Sequence, residues 1–525
     1  MDIKRKKYLF FLIAVLAIAV FFRFWDLSSL PPGIYPDEAI NANEAVTEGR
    51  EIFYPENNGR EGLFINLISL SFSLFGISVW SLKFISALIG VLTVFGVYLL
   101  TKEVFKFQNK EAIALLASFF MAVGFWHVNF SRIGFRAIMV PFCLTFLFYF
   151  LFRGIRNKKT INFVLAGFFF GLGFHTYIAY RVSVILILAV LIAWWLNYRK
   201  QNLQKRFFRL ASCFLLFTFI TALPVGIYFL KNPQDFSSRA TGVSIFAAEN
   251  IFGAGAKGLF AHLAMFNVWG DGNWRHNISD KPILFWPVGV LFLVGLTISI
   301  REIIRKILKK KSPIFHASCF LILWWLCMLL PGILTIEGIP HSLRVIGAVP
   351  PTFILASLGG YFLYFKIKNT FLSKPKSLTK IALIFFLFVL AGSFIFAQYF
   401  RYFWIWGKNP EVRGAFSADY VKLGEHLNSL PNSAKIYLIV NQGGVLVNGI
   451  PMPSQTVEFT ERTKYKEPRA VYLTKENMSS IELNEEGETL IFLMAPEEEI
   501  FQKLINQFPN GKIKKVKDIR FFQII

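Results

Sequence analysis

Of 525 residues, 55% are strictly apolar or aromatic, 61 of them phenylalanine, and only 17% are charged. Soluble domains carry about 25% charged residues, so the composition excludes a soluble multi-domain enzyme, a collagen-like fibre and a disordered chain. A net charge of +24 would suit nucleic acid as a partner. The basic residues, however, sit in short loops between apolar runs, which argues for membrane topology instead.

The chain opens on MDIKRKK followed by YLFFLIAVLAIAVFFRFW, which reads as an uncleaved first span because no small-residue cleavage site follows. Apolar runs of bilayer length predict spans at roughly 8–25, 82–101, 111–127, 134–152, 161–178, 182–198, 210–230, 283–300, 314–334, 345–365 and 381–400. That makes a polytopic α-helical membrane protein of about eleven transmembrane helices. Segment 62–76 is apolar but short before Gly76, and is predicted to lie in the interface rather than to span. Alternate loops carry 27 basic residues and the opposite ones ten. The excess on one side places the N-terminus in the cytoplasm, with loops 26–61 and 231–281 outside. The four cysteines fall inside apolar runs and read as small packing residues.

From about residue 401 the pattern changes. Residues 1–400 are expected to form the transmembrane catalytic domain, and 401–525 a small extracytoplasmic α/β domain. In the latter, helical stretches at 417–430 and 497–508 follow or precede strand-like runs at 435–440, 488–494 and 512–525. It shows no Ser/His/Asp arrangement or phosphate loop, and a docking or packing role is expected.

Loop 26–61 is the most informative segment, with eight acids against Arg50 and Arg60. Asp37 and Glu38 follow LPPGIYP, just where a helical pattern begins. Two readings stand side by side: a carboxylate satisfying free N–H groups at a helix start, or a general base that deprotonates an acceptor near the membrane face.

The run PDEAINANEA, followed by GREGLFINLISLSFSLFGISVWSLKF, resembles the GT-C glycosyltransferases, in particular the protein O-mannosyltransferase and lipid A aminoarabinose transferase branch. The resemblance covers the first 200 residues well and the span order to about 400 more loosely. It implies a GT-C fold and transfer of a sugar from a polyprenyl-phosphate donor with inversion, with Asp37 as base and Glu38 as supporting acid. It further implies cations for the leaving phosphate. Candidates are Arg60, where the aminoarabinose branch has a lysine, Arg132 and Arg136 in SRIGFRA, Arg181 in HTYIAYR, and His341 and Arg344 in IPHSLRV. The last of these resembles a P-H-x-L-R segment of bacterial members. For Arg132 the reading preferred is interfacial snorkelling, common near span ends. Tyr177, Tyr180 and His175, with Asp271, Arg275 and His276 of VWGDGNWRHNISD, are candidate substrate contacts, although an aromatic belt or turn chemistry explains them as well. The chain lacks the acid that many relatives carry after the arginine of FRAIMVPF.

No cofactor is implied. No DxD, HExxH or Cys/His cluster indicates a metal site, and a divalent ion shared by Asp37 and Glu38 is the single option. The expected partners are a polyprenyl-phosphate sugar donor, a lipid, protein or glycan acceptor and the membrane, with no nucleic acid. The expected location is the plasma membrane. The competing class is a transporter or flippase, disfavoured because charged residues lie in loops rather than mid-span and no inverted repeat stands out. A catalytically inactive scaffold is the third reading.

Overall fold

A computed structural model of the chain describes residues 3–107, 109–236, 244–371, 377–485 and 487–525. Parts of the outer loop 231–281 and of the basic loop 366–380 lie outside the described residues. Among the described residues, nine helices are long and apolar enough to cross a membrane. They are Lys6–Phe24, Val79–Val104, Arg136–Asn157, Ile178–Lys200, Gln204–Lys231, Trp286–Ile307, Phe315–Ile333, Ile346–Thr370 and Phe385–Trp406. The chain is a multi-pass helical membrane protein.

Two of the eleven expected spans are shorter than predicted. The run 111–127 is interrupted at Gly124, whose backbone is extended (φ −65°, ψ 123°), leaving a 14-residue helix Lys110–Val123 and a single turn and a half at Phe125–Phe130. The run 161–178 yields the 14-residue helix Thr160–Gly173, because the chain turns at Phe174–Tyr177. The apolar segment 62–76 forms a 13-residue helix, Leu63–Phe75. At 1.5 Å per residue it is about 20 Å long, short of a hydrocarbon layer of about 30 Å.

The chain divides into two compact units. The first comprises Met1–Trp25, Glu61–Phe64 and Phe84–Trp406, and the second Asp26–Arg60, Ile65–Lys83 and Gly407–Ile525.

In the first unit, glycines let helix backbones meet. A Cβ on Gly295 would overlap the Leu355 carbonyl, and one on Gly359 the Leu291 carbonyl, so Trp286–Ile307 and Val349–Phe371 pack backbone to backbone. Gly167 and Gly171 do the same for Thr160–Gly173 against Gln204–Lys231, facing the carbonyls of Phe214 and Thr218. Lipid tails are as apolar as leucine, so close packing rather than burial from water holds such pairs.

The second unit is built on a five-stranded sheet. Lys435–Ile439 (β3) runs parallel to Val471–Leu473 (β6) and to Thr489–Leu493 (β7), and Ile519–Ile524 (β9) is antiparallel to β7 and to Lys512–Val516 (β8), which gives the order β6-β3-β7-β9-β8. Side chains alternate across a strand, and here they feed two layers. Ile436, Leu438, Leu490 and Phe492 pack with Leu423, Leu427 and Val457, from helices Ala418–Ser429 and Ser454–Arg462. Tyr437, Ile439, Ile491 and Leu493 pack with Ile500, Phe501 and Leu504, from helix Glu498–Gln507. Helix Ser454–Arg462 and strand β6 have no counterpart in the sequence-based elements, and the expected terminal strand is a β8–β9 hairpin.

The same unit contains the helix Pro36–Thr47. Asn43 Nδ2 donates to the Gln455 carbonyl (3.1 Å) and Oε1 (2.9 Å), Thr456 Oγ1 donates to the Ile34 carbonyl (2.9 Å), and Ile40 packs with Val447 and Met452. Phe72 of helix Leu63–Phe75 stacks on Phe459, ring centroids 6.0 Å apart.

The helix contact at Gly295 is tested by Gly295→Leu. Overpacking of this kind costs about 1–3 kcal/mol, so the thermal midpoint of the detergent-solubilised protein falls by several degrees. Gly226→Leu, where an added Cβ meets nothing within 4 Å, leaves it nearly unchanged.

Candidate active site

Pro36 at the first helical position of Pro36–Thr47 supplies a fixed φ where a missing N–H costs nothing. Asp37 and Glu38 occupy the first turn, where the helix dipole favours negative charge. Successive residues on a helix point about 100° apart, and the two acids part accordingly. Asp37 is partly exposed, whereas Glu38 is fully buried. The Asp37 carboxylate accepts a 2.8 Å hydrogen bond from Asn57 Nδ2, which fixes one oxygen of a group that still reaches solvent. No side chain caps the helix: the N-cap residue is Tyr35.

Arg60 is buried and its guanidinium is engaged on three sides. Nη2 pairs with Glu44, Nη1 donates to Asn41 Oδ1 at 2.9 Å, and Nε donates to the Glu56 carbonyl at 3.3 Å. Burial pushes the Glu44 carboxyl up to about 7 against the opposing pull of Arg60. Glu44 Oε2 is sealed from solvent with no hydrogen-bond partner. Glu44 and Glu48 line a cavity of about 480 Å³, together with Glu458, Arg462 and Tyr472 of the same unit.

In the first unit, Glu61 is the counter-charge for two candidate cations. Arg136 Nε donates to Glu61 Oε2 at 3.1 Å, and Arg181 Nη2 lies 3.9 Å from Oε1. The Arg136 guanidinium stands 5.5 Å over the ring of Tyr177, and Arg181 lies 4.3 Å over Phe236. Arg132, fully buried, donates to the Phe22 carbonyl at 3.0 Å and faces Phe403 at 5.1 Å. It is an interior residue and not, as the sequence reading preferred, one that snorkels to the interface. Tyr180 is also interior: it is fully buried against Gly173 and Phe174, and Nε2 of His175 meets the Thr221 carbonyl at 2.8 Å.

The remaining candidates come together from two loops of this unit. Asp271 Oδ2 accepts from His276 Nδ1 (3.0 Å), Ser342 N–H (2.8 Å) and Ser342 Oγ (2.9 Å). Burial favours protonation of Asp271. The His276 hydrogen bond and charge, with His341 and the Ser342 N–H, outweigh it and hold the carboxyl below the usual carboxylate range. Burial, then His276 and Arg344, push His341 well below the ordinary imidazole value. Arg344 Nη1 donates to the Glu337 carbonyl at 2.7 Å, and its Nη2 is 3.5 Å from the exposed Glu337 carboxylate. The Arg275 backbone is held by Asn129 Nδ2 (2.7 Å), and Arg275 Nε donates to Asn273 Oδ1 (3.3 Å).

Sequence reasoning missed Glu61 as a partner, since its cations lie 75 and 120 positions away. It also missed Arg23, fully buried, which donates to the Ala19, Ala122 and Met121 carbonyls and meets His127 Nδ1 at 2.7 Å. An arginine at the end of an otherwise apolar run was the available signal for it.

Residues 63–225 match the dolichyl-phosphate-mannose-protein mannosyltransferase family. No curated protein matches the sequence. Among solved structures, the chain is similar to ArnT from Cupriavidus metallidurans bound to undecaprenyl phosphate, at 12% identity and TM-score 0.56, with 98% of this chain and 97% of that one covered. ArnT in the apo state gives 10% identity and TM-score 0.54, over 99% and 98% of the two chains. The Archaeoglobus fulgidus oligosaccharyltransferase tethered to an acceptor peptide gives 15% identity and TM-score 0.51, over 89% of this chain and 64% of that one. At these identities the likeness is one of fold: the chain has the GT-C glycosyltransferase fold.

The buried Glu44 gives a pH test. Its folded carboxyl binds a proton more readily than the unfolded one between about pH 4.5 and 7. Its contribution to stability is therefore complete below that window and lost as pH rises through it. The expected loss is of order 2–3 kcal/mol, read as a thermal midpoint that falls between pH 5 and pH 8. In Glu44→Gln the fall is smaller.

Proposed function

We propose, from the premise that this chain is a GT-C glycosyltransferase in fold with the mannosyltransferase family signature over residues 63–225, that it catalyses inverting transfer of a sugar from a polyprenyl-phosphate-linked donor. The acceptor stands at the extracytoplasmic face of the membrane, the plasma membrane by the loop-charge reading, with the N-terminus in the cytoplasm and the 401–525 segment outside. The transferred group is a hexose or a pentose. A transporter is not favoured, because the family signature and the fold are those of glycosyltransferases.

Asp37 carries the reading. Its carboxylate is partly exposed and oriented by Asn57 at 2.8 Å, which suits a group that takes a proton from an acceptor hydroxyl. The acceptor oxygen then forms its bond to the anomeric carbon as the bond from that carbon to the phosphate oxygen breaks. The configuration inverts and lipid phosphate leaves. Glu38, buried on the adjacent helix face, acts as a positioning group. Arg136, Arg181 and Arg344 are the cations assigned to the leaving phosphate; His341, whose imidazole is pushed by burial well below its ordinary value, is not counted among them. Arg136 and Arg181 support that role because both guanidiniums stand against the carboxylate of Glu61. Arg60 and Arg132 are engaged by protein groups and are assigned structural support of the donor site. Tyr177, through its contact with Arg136, is the aromatic best placed to line it. His175, Asp271, Arg275 and His276 remain candidate substrate contacts, and Tyr180 is assigned to packing. The structural likeness of ArnT, solved with undecaprenyl phosphate, supports a polyprenyl-phosphate donor, and the oligosaccharyltransferase solved with an acceptor peptide keeps a protein acceptor among the candidates.

The purified protein is expected to release polyprenyl phosphate from a labelled polyprenyl-phosphate sugar. Asp37→Asn lowers the rate by about 10²–10⁴ while leaving the thermal midpoint near that of the wild type. Unchanged turnover in a folded Asp37→Asn protein removes Asp37 as the base.

A further inference from the structure

Two loops of the first unit, 265–284 and 334–345, bring metal-ligating side chains together from positions 65 and more residues apart. A carboxylate oxygen of Asp271 and one ring nitrogen each of His276 and His341 lie within 4.8 Å of one another. Asp271 and His276 are buried and His341 is partly so. His341 Nδ1 is sealed from solvent with no hydrogen-bond partner. A buried nitrogen left in that state costs a desolvation penalty that native structures seldom accept.

The surroundings are those of a supported ligand set. Metal-binding carboxylates and imidazoles are oriented by hydrogen bonds from an outer layer of groups. Here Ser342 N–H and Oγ both donate to Asp271 Oδ2, at 2.8 and 2.9 Å. His262 is committed elsewhere: its Nδ1 meets the Gly258 carbonyl at 2.7 Å, and its Nε2 accepts from the His341 N–H at 3.1 Å, which fixes the backbone that carries His341. The His276 and His341 rings lie side by side, centroids 4.8 Å apart.

We propose that Asp271, His276 and His341 form a binding site for one divalent cation of the zinc class, a role that replaces the substrate contacts otherwise assigned to Asp271 and His276 and does not require Asp37 to be the base. Two imidazole nitrogens and one carboxylate are the donor set of zinc and its first-row neighbours, whereas magnesium and calcium take oxygen throughout. Ligand atoms around tetrahedral zinc sit about 3.3 Å apart, from bonds of about 2.0–2.1 Å. The three ligand atoms, all within 4.8 Å of one another, are spaced on that scale. The direct Asp271–His276 hydrogen bond of 3.0 Å then gives way to the metal between the two atoms, with the imidazole proton released to solvent. Three protein ligands leave a fourth position for water.

The test uses the full chain, purified in detergent with a chelator and then dialysed against limiting Zn²⁺ or Co²⁺. The expected result is one metal per chain by elemental analysis, a visible d–d absorption of four-coordinate Co²⁺, and a thermal midpoint raised by the metal. Asp271→Asn and the pair His276→Ala/His341→Ala lose all three. Absence of stoichiometric metal and of the Co²⁺ band in the wild type overturns the proposal, and so does a band that persists in the Asp271→Asn protein. If the double-histidine variant does not fold, Asp271→Asn, which keeps the side chain's size and an oxygen for Ser342, carries the comparison with the wild type.

Discussion

Charge held away from water has to be answered by charge or by carbonyl oxygen, and the placement of the functional side chains follows from that requirement. An isolated guanidinium in an apolar surrounding is costly. Each arginine described inside the helical unit is accordingly met: Arg23 by three carbonyls, Arg132 by one carbonyl and two aromatic faces, Arg136 and Arg181 by Glu61 and aromatic rings. The arrangements are not equivalent. A guanidinium bonded to carbonyls keeps its charge but spends its N–H donors on the backbone, and serves as glue between segments. Two guanidiniums on one carboxylate keep a surplus of positive charge among those three groups. The first arrangement suits packing and the second suits an anion.

The helical scaffold supplies the rigidity that such pairing needs. Trp286–Ile307 and Val349–Phe371 meet through glycines at carbonyl contact, and Thr160–Gly173 meets Gln204–Lys231 in the same way. Backbones this close have little freedom to slide, because any lateral shift would bring a side chain against a carbonyl. Loops rooted in such helices start from fixed anchors. The loop 334–345 leads into one of them, Val349–Phe371, and its Ser342 donates twice to Asp271.

The class of fold was legible because the bilayer demands long uninterrupted apolar runs, and those runs stand in the sequence unaided. What the sequence concealed was interruption. Gly124 and the turn at Phe174–Tyr177 break runs whose hydropathy continues, since hydropathy does not record backbone direction. The small sheet was half visible: β3 and β7 are solidly apolar because both of their faces are covered, whereas helix Ser454–Arg462 carries too many polar residues to declare itself. For the proposed site, Asp37 and Glu38 were singled out by their position at a helix start. Their different exposure was not, because it depends on what each helix face meets. Glu61 beside Arg136, and Asp271 beside His341, are products of chain return over 75 and 70 residues, and no local pattern announces them. Arg60 shows the converse: the sequence located a cation correctly and gave no sign that Glu44 and Asn41 already occupy it.

The second unit is assembled from discontinuous stretches, Asp26–Arg60 and Ile65–Lys83 together with Gly407–Ile525. The helix bearing Asp37 is tied to Gln455, and Ile34 just before it to Thr456, partners that emerge from the ribosome more than 400 residues later. During synthesis this segment is therefore left waiting while hundreds of residues are threaded into the membrane. Only the last quarter of the chain closes it. Such long-range closure is slow and leaves apolar surface uncovered in the interval. It also makes the order of the Asp37 helix a report on the completeness of the polypeptide: a chain stopped anywhere before residue 454 lacks the surface on which that helix is held.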